Sequence, residues 1–315
     1  MKKHIWIAAL VFAAAFTSCK KDDKENEESV TKLSTQAEDN NDTKSESDQT
    51  NTDVTDALEN FSSINGRKAV TEGKKVICGC SIDSSQLENK ILVLNFDGIT
   101  PCGTPSRTRS GSIKVQLVEG DRWIHQGARL KITHNNFKVT RLKDSKSWTF
   151  NGDKYLTNVR GTNWLGFIAG VDSLLYRERG AGLTVALSGG GIIHYSVART
   201  TSWKVIKSQT ISDYIQFSAM GDTTISGLAN TDTWGTNRFD NAFTNNYLSR
   251  LVSNTYCQVW RPVRGELVHR ANGNTLTLKM GVNEQGQTDT RDCAYGWKLN
   301  WLLANGATGE KIFSY

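Results

Sequence analysis

Past its first fifteen residues the chain has no apolar run of about 18 residues, so no later segment can cross a bilayer core of roughly 30 Å as a helix. It lacks the Gly-x-Ser-x-Gly elbow that would aim a serine nucleophile. The glycine-rich "LSGGGIIHY" lacks the Gly-Lys-Ser/Thr of a phosphate loop, and its apolar flanks make it a hairpin turn. The histidines (His4, His125, His134, His194, His269) show no His-x3-His spacing. No second cysteine pair answers Cys78-Gly-Cys80, so the four soft ligands of a zinc site do not come together, and no βαβ pattern supports a thioredoxin-like centre. Acids are sparse from residue 60 onward, 19 against 31 Lys and Arg. Among them Asp97, Glu119, Asp121 and Glu178 show no spacing that marks a glycosidase pair, whose members meet only in the fold. These absences leave no cofactor or metal to assign and no catalytic residue to name. They favour a non-catalytic protein, with a glycan or cell-wall polymer hydrolase as the alternative.

The first residues carry an address. "MKKHIWIAALVFAAAFTSC" places two lysines before an apolar run from Ile5 to Ala15, the layout of a secretory signal. Its end, "FTSC", resembles the lipobox of bacterial lipoproteins, with cleavage after Ser18 and acylation of Cys19; Phe16 stands where leucine is usual. The following "KKDDK" resembles the export signal that carries such lipoproteins to the outer face of the outer membrane. Several acyl chains on one cysteine give lasting attachment where a single chain gives marginal attachment. The expected partition is a signal over 1–18, a lipidated tether over 19–65 and a β-rich domain over 66–315, with room in the last for two sub-domains.

From Lys20 to Asn60 there are 13 Asp and Glu against 5 Lys, almost no aromatic residue and no apolar periodicity. On apolar burial alone such a stretch cannot offset its ordering entropy, which predicts a disordered tether. The remaining domain then carries a net charge of +12, which favours an anionic partner such as a surface polysaccharide. An address outside the cell argues against nucleic acid.

The domain alternates with period two. "SIKVQLVEG" turns Ile113, Val115 and Leu117 inward, and "KILVLNFD" reads as a strand buried on both faces. Asn151-Gly152, Gly189-Gly190-Gly191, Asn272-Gly273 and Asn305-Gly306 read as turns between such runs. The expectation is an all-β antiparallel meander, as a sandwich, a barrel or a long curved sheet.

In an oxidising compartment the domain's five cysteines default to disulfides. Cys80 is expected to reach Cys102 and Cys257 to reach Cys293, leaving Cys78 odd. Arg107 and Arg109 in "SRTRSG" are candidate contacts for a carboxylate or phosphate ligand, because guanidinium forks bind such groups bidentately. Side chains alternating at a strand's start are the plainer reading. The tryptophans offer stacking faces for sugars, though strand and core packing is their commoner use.

From Cys80 onward "ILVLNFDG", "CGTPSRTRSGSIKV", "TWGTNRFDNAFT" and the pair "YCQVWRPVRGEL" and "RDCAYGWKLNW" are similar to a pattern in uncharacterised Bacteroidota lipoproteins. Asn95-Phe96-Asp97-Gly98 departs from that family's Asp-Phe-Gly, and the doubled Cys78/Cys80 is extra. The resemblance implies an exported, lipid-anchored β-domain of the outer membrane surface and implies no activity.

Overall fold

A computed structural model describes residues 21–66, 76–103, 106–163, 166–167, 170, 173–207, 212–225, 227–258 and 261–315, with side chains from residue 31 onward. Two helices come first, α1 (Lys21–Leu58) and the single turn α2 (Ser62–Asn65). Strands β1 (Cys80–Asp83), β2 (Ile91–Asp97), β3 (Arg107–Glu119), β4 (Arg129–Arg141), β5 (Ser147–Asn158), β6 (Ser173–Leu187) and β7 (Ile192–Ile206) follow. Then come β8 (Tyr214–Gly221), β9 (Thr231–Thr236), β10 (Ala242–Asn254), β11 (Arg264–Ala271), β12 (Asn274–Val282), β13 (Gly296–Leu302) and β14 (Thr308–Ser314). All fourteen belong to one antiparallel meander whose order follows the chain, except that β9 lies off the path, on β10. The chain divides into two compact units. Glu46–Val205 forms the β1–β7 unit; Met1–Ser45 with Ile206–Tyr315 forms the β8–β14 unit.

The alternation works as read in most strands. Ile113, Val115 and Leu117 are buried, and they face Leu94, Leu92 and the inward residues of β4. β2 is buried mainly on one face: Leu92, Leu94 and Phe96 lie inside, while on the other Ile91 is buried, Val93 half-buried and Asn95 exposed. Asn272-Gly273 makes the tight β11–β12 turn with positive φ at both residues (49° and 75°), the geometry that matches strand twist. Asn151-Gly152 is no turn. It lies within β5 at a bulge, where the register with β4 slips between His134 and Phe137 and the Asn151 carboxamide oxygen accepts the Asn136 N–H.

The described part of 19–65 overturns the expected disorder. No Gly or Pro interrupts Lys21–Leu58, and the stretch is one continuous helix. Its buried positions recur every three to four residues: Leu33, Gln36, Asp39, Thr43, Ser47, Thr50, Val54, Leu58. That is a helical stripe, but mostly a polar one. Some of the hydroxyl residues on α1 bond the preceding turn, as Thr50 Oγ1 does to the Glu46 carbonyl at 3.0 Å, while Ser47 turns to the sheet. Apolar packing is confined to the two ends. In the β8–β14 unit Leu33 packs against Leu276, Leu299 and Leu303. In the β1–β7 unit Val54, Ala57 and Leu58 are almost fully enclosed. Composition misjudged this segment because its burial rests on pairing charges, whose partners lie far along the chain.

The cysteine pairing is half as expected. Cys257 is bridged to Cys293. Cys102 takes Cys78, with Cα atoms 5.9 Å apart, and Cys80 is the free thiol. The register explains the exchange. Cys80 opens β1 opposite Phe96, so its side chain shares the inward face with that buried ring, whereas Cys78 sits in the turn before the strand. Burial pushes the Cys80 thiol up to about 11 and keeps it protonated at neutral pH. Peptide mapping without reduction should recover 78–102 and 257–293 links, with Cys80 the one alkylated residue among the five cysteines from Cys78 onward. A Cys80–Cys102 link would overturn the β1–β2 register.

Candidate functional site

The inward face of the β1–β7 unit should be apolar by alternation, yet it carries charge in the middle of apolar strands. β5 places Trp148, Phe150, Lys154, Leu156 and Asn158 inward, and only the lysine is charged. Arg107 and Arg109 from β3, Arg141 from β4, Glu178 from β6 and Arg199 from β7 share this face. Five cations therefore meet one acid. Unpaired, buried charges of this kind cost several kcal/mol each, so the face requires carboxylates from elsewhere.

α1 supplies them. Arg107 Nε lies 2.8 Å from Glu46 Oε1. Arg109 pairs with Asp53, donates to the Cys78 carbonyl at 2.7 Å and rests over the Phe96 ring at 4.7 Å. Arg199 bridges Asp48 of α1 (2.9 Å) and Glu178 of β6 (3.2 Å). Arg141 is answered locally, by the Asp144 carboxylate at 2.8 Å. Lys154 has no exposed surface, and its three donors are all accounted for: Ser47 Oγ at 2.8 Å, the Ser47 carbonyl at 3.1 Å and Glu178 Oε1 at 3.1 Å. Asn51 of α1 donates to the other Glu178 oxygen at 3.3 Å.

Ser47 beside Lys154 has the outline of a serine–lysine pair, in which a neutral amine activates a hydroxyl. Here burial lowers the lysine's pKa while Glu178 opposes that shift, and both side chains are enclosed. The arrangement clamps the backbone and side chain of α1 to β5. It presents no hydroxyl to an incoming substrate.

Arg107 and Arg109 are thus engaged within the fold, held by Glu46 and Asp53, and their forks are not offered to an outside ligand. Burial raises the pKa of Asp53 against the opposing pull of Arg109. His134, between Phe137 and Phe150, is pushed down to about 3, first by burial and then by Lys154. Trp123 is enclosed and stacked on Tyr176 with ring centroids 5.7 Å apart, and Trp148 is buried under Arg141; both are core residues. Trp164, Trp260 and the lipidation position Cys19 fall outside the described residues.

The β8–β14 unit repeats the theme more sparingly. Arg238 Nε donates to Asp39 Oδ2 of α1 at 2.6 Å. His269 of β11 is in hydrogen-bond range of Asn245 (2.8 Å), Gln36 (3.3 Å) and Asn40 (3.3 Å), and burial pulls it down to about 4. A shallow depression in this unit, lined by Phe243, Thr244, Arg270 and Asn274 among others, contains no acid. Among the described residues no three His, Cys, Asp or Glu side chains gather as metal ligands, and no helix is long and apolar enough to cross a membrane. No family model matches the chain, and neither does any curated protein or solved structure.

Two outcomes follow from the buried network. Glu178→Gln should cost about 3–5 kcal/mol of stability, because Lys154 and Arg199 lose the one acid on the sheet that pairs with both. Adding Lys154→Met should cost less than the two single effects combined, measured by urea unfolding; strict additivity would deny the coupling. Stability should also fall in acid. His134 and His269 bind protons more weakly folded than unfolded, so their contribution is complete above about pH 6.5 and is lost as pH drops toward about 3 and about 4. By pH 4 each withdraws on the order of 3 kcal/mol. Asp53 has the opposite sign, since burial disfavours its ionised form. Unfolding midpoints at pH 7 and pH 4.5 test this. An unchanged midpoint, or an undiminished acid loss in His269→Asn, would contradict the buried neutral placement.

Proposed function

We propose that this chain is a lipid-anchored cell-envelope lipoprotein of the outer membrane surface, whose β-sheet is a non-catalytic binding or structural module for an anionic partner. The observation that carries the reading is the disposition of the acids. Glu46, Asp53 and Glu178, buried in the β1–β7 unit, and the partly exposed Asp48 beside them are each committed to a cation. A hydrolase needs two carboxyl groups free to exchange protons across a cleft, and each of these four is held by a cation instead. The domain's +12 and the −8 of the acidic segment that folds against it leave a net +4, which still favours anions.

The anchor reading rests on "FTSC" followed by "KKDDK", and on the likeness of the later segments to Bacteroidota lipoproteins. The fold adds a constraint to it. Cys19 stands two residues before Lys21, where α1 begins, so the acidic stretch is largely helix and not a loose spacer. Expressed in a diderm bacterium with its own signal, the wild-type chain should sediment with outer membranes and label with a palmitate analogue. Cys19→Ala should do neither. A Cys19→Ala chain that still pellets with washed membranes, while remaining folded, would sink the lipid anchor.

A further inference from the structure

The buried cluster around Lys154 is arranged for more than clamping. Lys154 of β5 and Asn51 of α1 bond the two oxygens of one carboxylate. Lys154 Nζ lies 3.1 Å from Glu178 Oε1, and Asn51 Nδ2 donates to Glu178 Oε2 at 3.3 Å. The amine also donates to the Ser47 carbonyl at 3.1 Å, the same carbonyl that the Asn51 N–H meets in the helix ladder. An amine, a carboxamide and a carboxylate thus stand side by side. Lys154 and Glu178 have almost no exposed surface, and the Asn51 carboxamide oxygen is buried without a hydrogen bond. Across the strands Lys154 faces Ile132 on β4 and Gly180 on β6, so its sheet neighbours are apolar. Burial lowers its pKa; Glu178 opposes that shift and Arg199 adds to it. Lys131 makes the contrast. Its bond to Asp153 at 2.8 Å lies about one-third exposed, and that bond raises its pKa and holds it as an ammonium.

We propose that Lys154 and Asn51 join in an intramolecular amide, Nζ to Cγ, with Glu178 relaying the protons and ammonia released. The steps balance within the cluster. Glu178 takes a proton from the Nζ ammonium, and the freed electron pair on Nζ attacks Asn51 Cγ. The carbonyl pair moves onto Oδ1, and the protonated Glu178 gives its proton to Nδ2. Return of the pair from Oδ1 breaks the Cγ–Nδ2 bond, and Glu178 takes the surplus proton from Nζ. Ammonia leaves, and no oxidant or other reactant enters. An amine attacks an amide slowly in water. Here one carboxylate holds both groups in place, and burial removes the competing water and the solvation that keeps the amine charged. Ser47 steers the amine through its carbonyl and its hydroxyl and takes no covalent part. The product rivets α1 to β5, where ion pairs alone would otherwise hold it. The inference is independent of the anchor and of the ligand in the proposed function.

The test is peptide mapping of the full chain by mass spectrometry, after denaturation and reduction. The expected product is one branched peptide that joins the segment carrying Asn51 to the segment carrying Lys154. It should be uncut by trypsin at Lys154 and lighter than the two segments together by the mass of one ammonia. Asn51→Ala and Lys154→Met should each abolish it. Asn51→Ala should also lower the melting temperature by about 10 °C or more, because a long covalent loop is opened. Glu178→Gln, with its strand circular dichroism retained, should abolish the branch as well; if that variant unfolds, the wild-type and Asn51→Ala results decide alone. Glu119→Gln, which removes an exposed partner of Arg129, should leave the branch complete. A succinimide at an Asn-Gly pair has the same mass loss, but it joins no two peptides and persists in Lys154→Met. A folded wild-type chain that yields only the two separate peptides, even after prolonged incubation, would overturn the inference. A branch still formed in folded Glu178→Gln would overturn the relay assigned to Glu178.

Discussion

Charge pairing across the inside of the β1–β7 unit is the constraint on which the remainder rests. A sheet that turns four basic side chains and one acid toward a single helix cannot bury that face against an apolar partner. It can bury it against a helix whose own stripe carries Glu46, Asp48 and Asp53 at matching heights. The pairing explains why α1 is helical despite weak apolar content, why its stripe is rich in small hydroxyl residues, and why the isolated segment would not hold its shape. Helices in water gain little from propensity and most from the face they dock.

The same constraint separates the two sides of the strands. Inward cations are matched one by one with carboxylates, several of them from the acidic segment. The carboxylates of α1 offset much of the positive charge that composition assigns to the domain, and the network inside is close to neutral. A buried network of this type contributes more to fixing one arrangement than to raising stability, since each member specifies where α1 must sit along the sheet.

Much of the fold was legible in the sequence. Period-two alternation located the strands, Asn272-Gly273 located a hairpin, and the Cys257/Cys293 spacing located a bridge. Three features were missed for physical reasons. Asn151-Gly152 looks like a turn, but a bulge uses the same residue types, and only the length of β5 tells them apart. Cys78 and Cys80 compete for one partner, and strand register, invisible without the pairing of β1 and β2, decides between them. Most instructive is the acidic stretch. Its apolar content predicts disorder, but two signals pointed elsewhere: an uninterrupted run without Gly or Pro, and charges at inward positions of strands that are otherwise apolar, Lys154 between Phe150 and Leu156 above all. Each inward cation implied an acid that the strands themselves do not provide.

The partners that hold α1 are remote in sequence. Ser47 and Glu178 are separated by 131 residues, Asp48 and Arg199 by 151, Gln36 and His269 by 233. Synthesis therefore delivers the helix's residues long before the surfaces that shape it exist. Until β6, β7 and β11 arrive, the segment has only its own like charges, which keep it extended and soluble. Contacts at such separations close slowly. The helix can therefore dock only after β6, β7 and β11 have been made, long after its own residues.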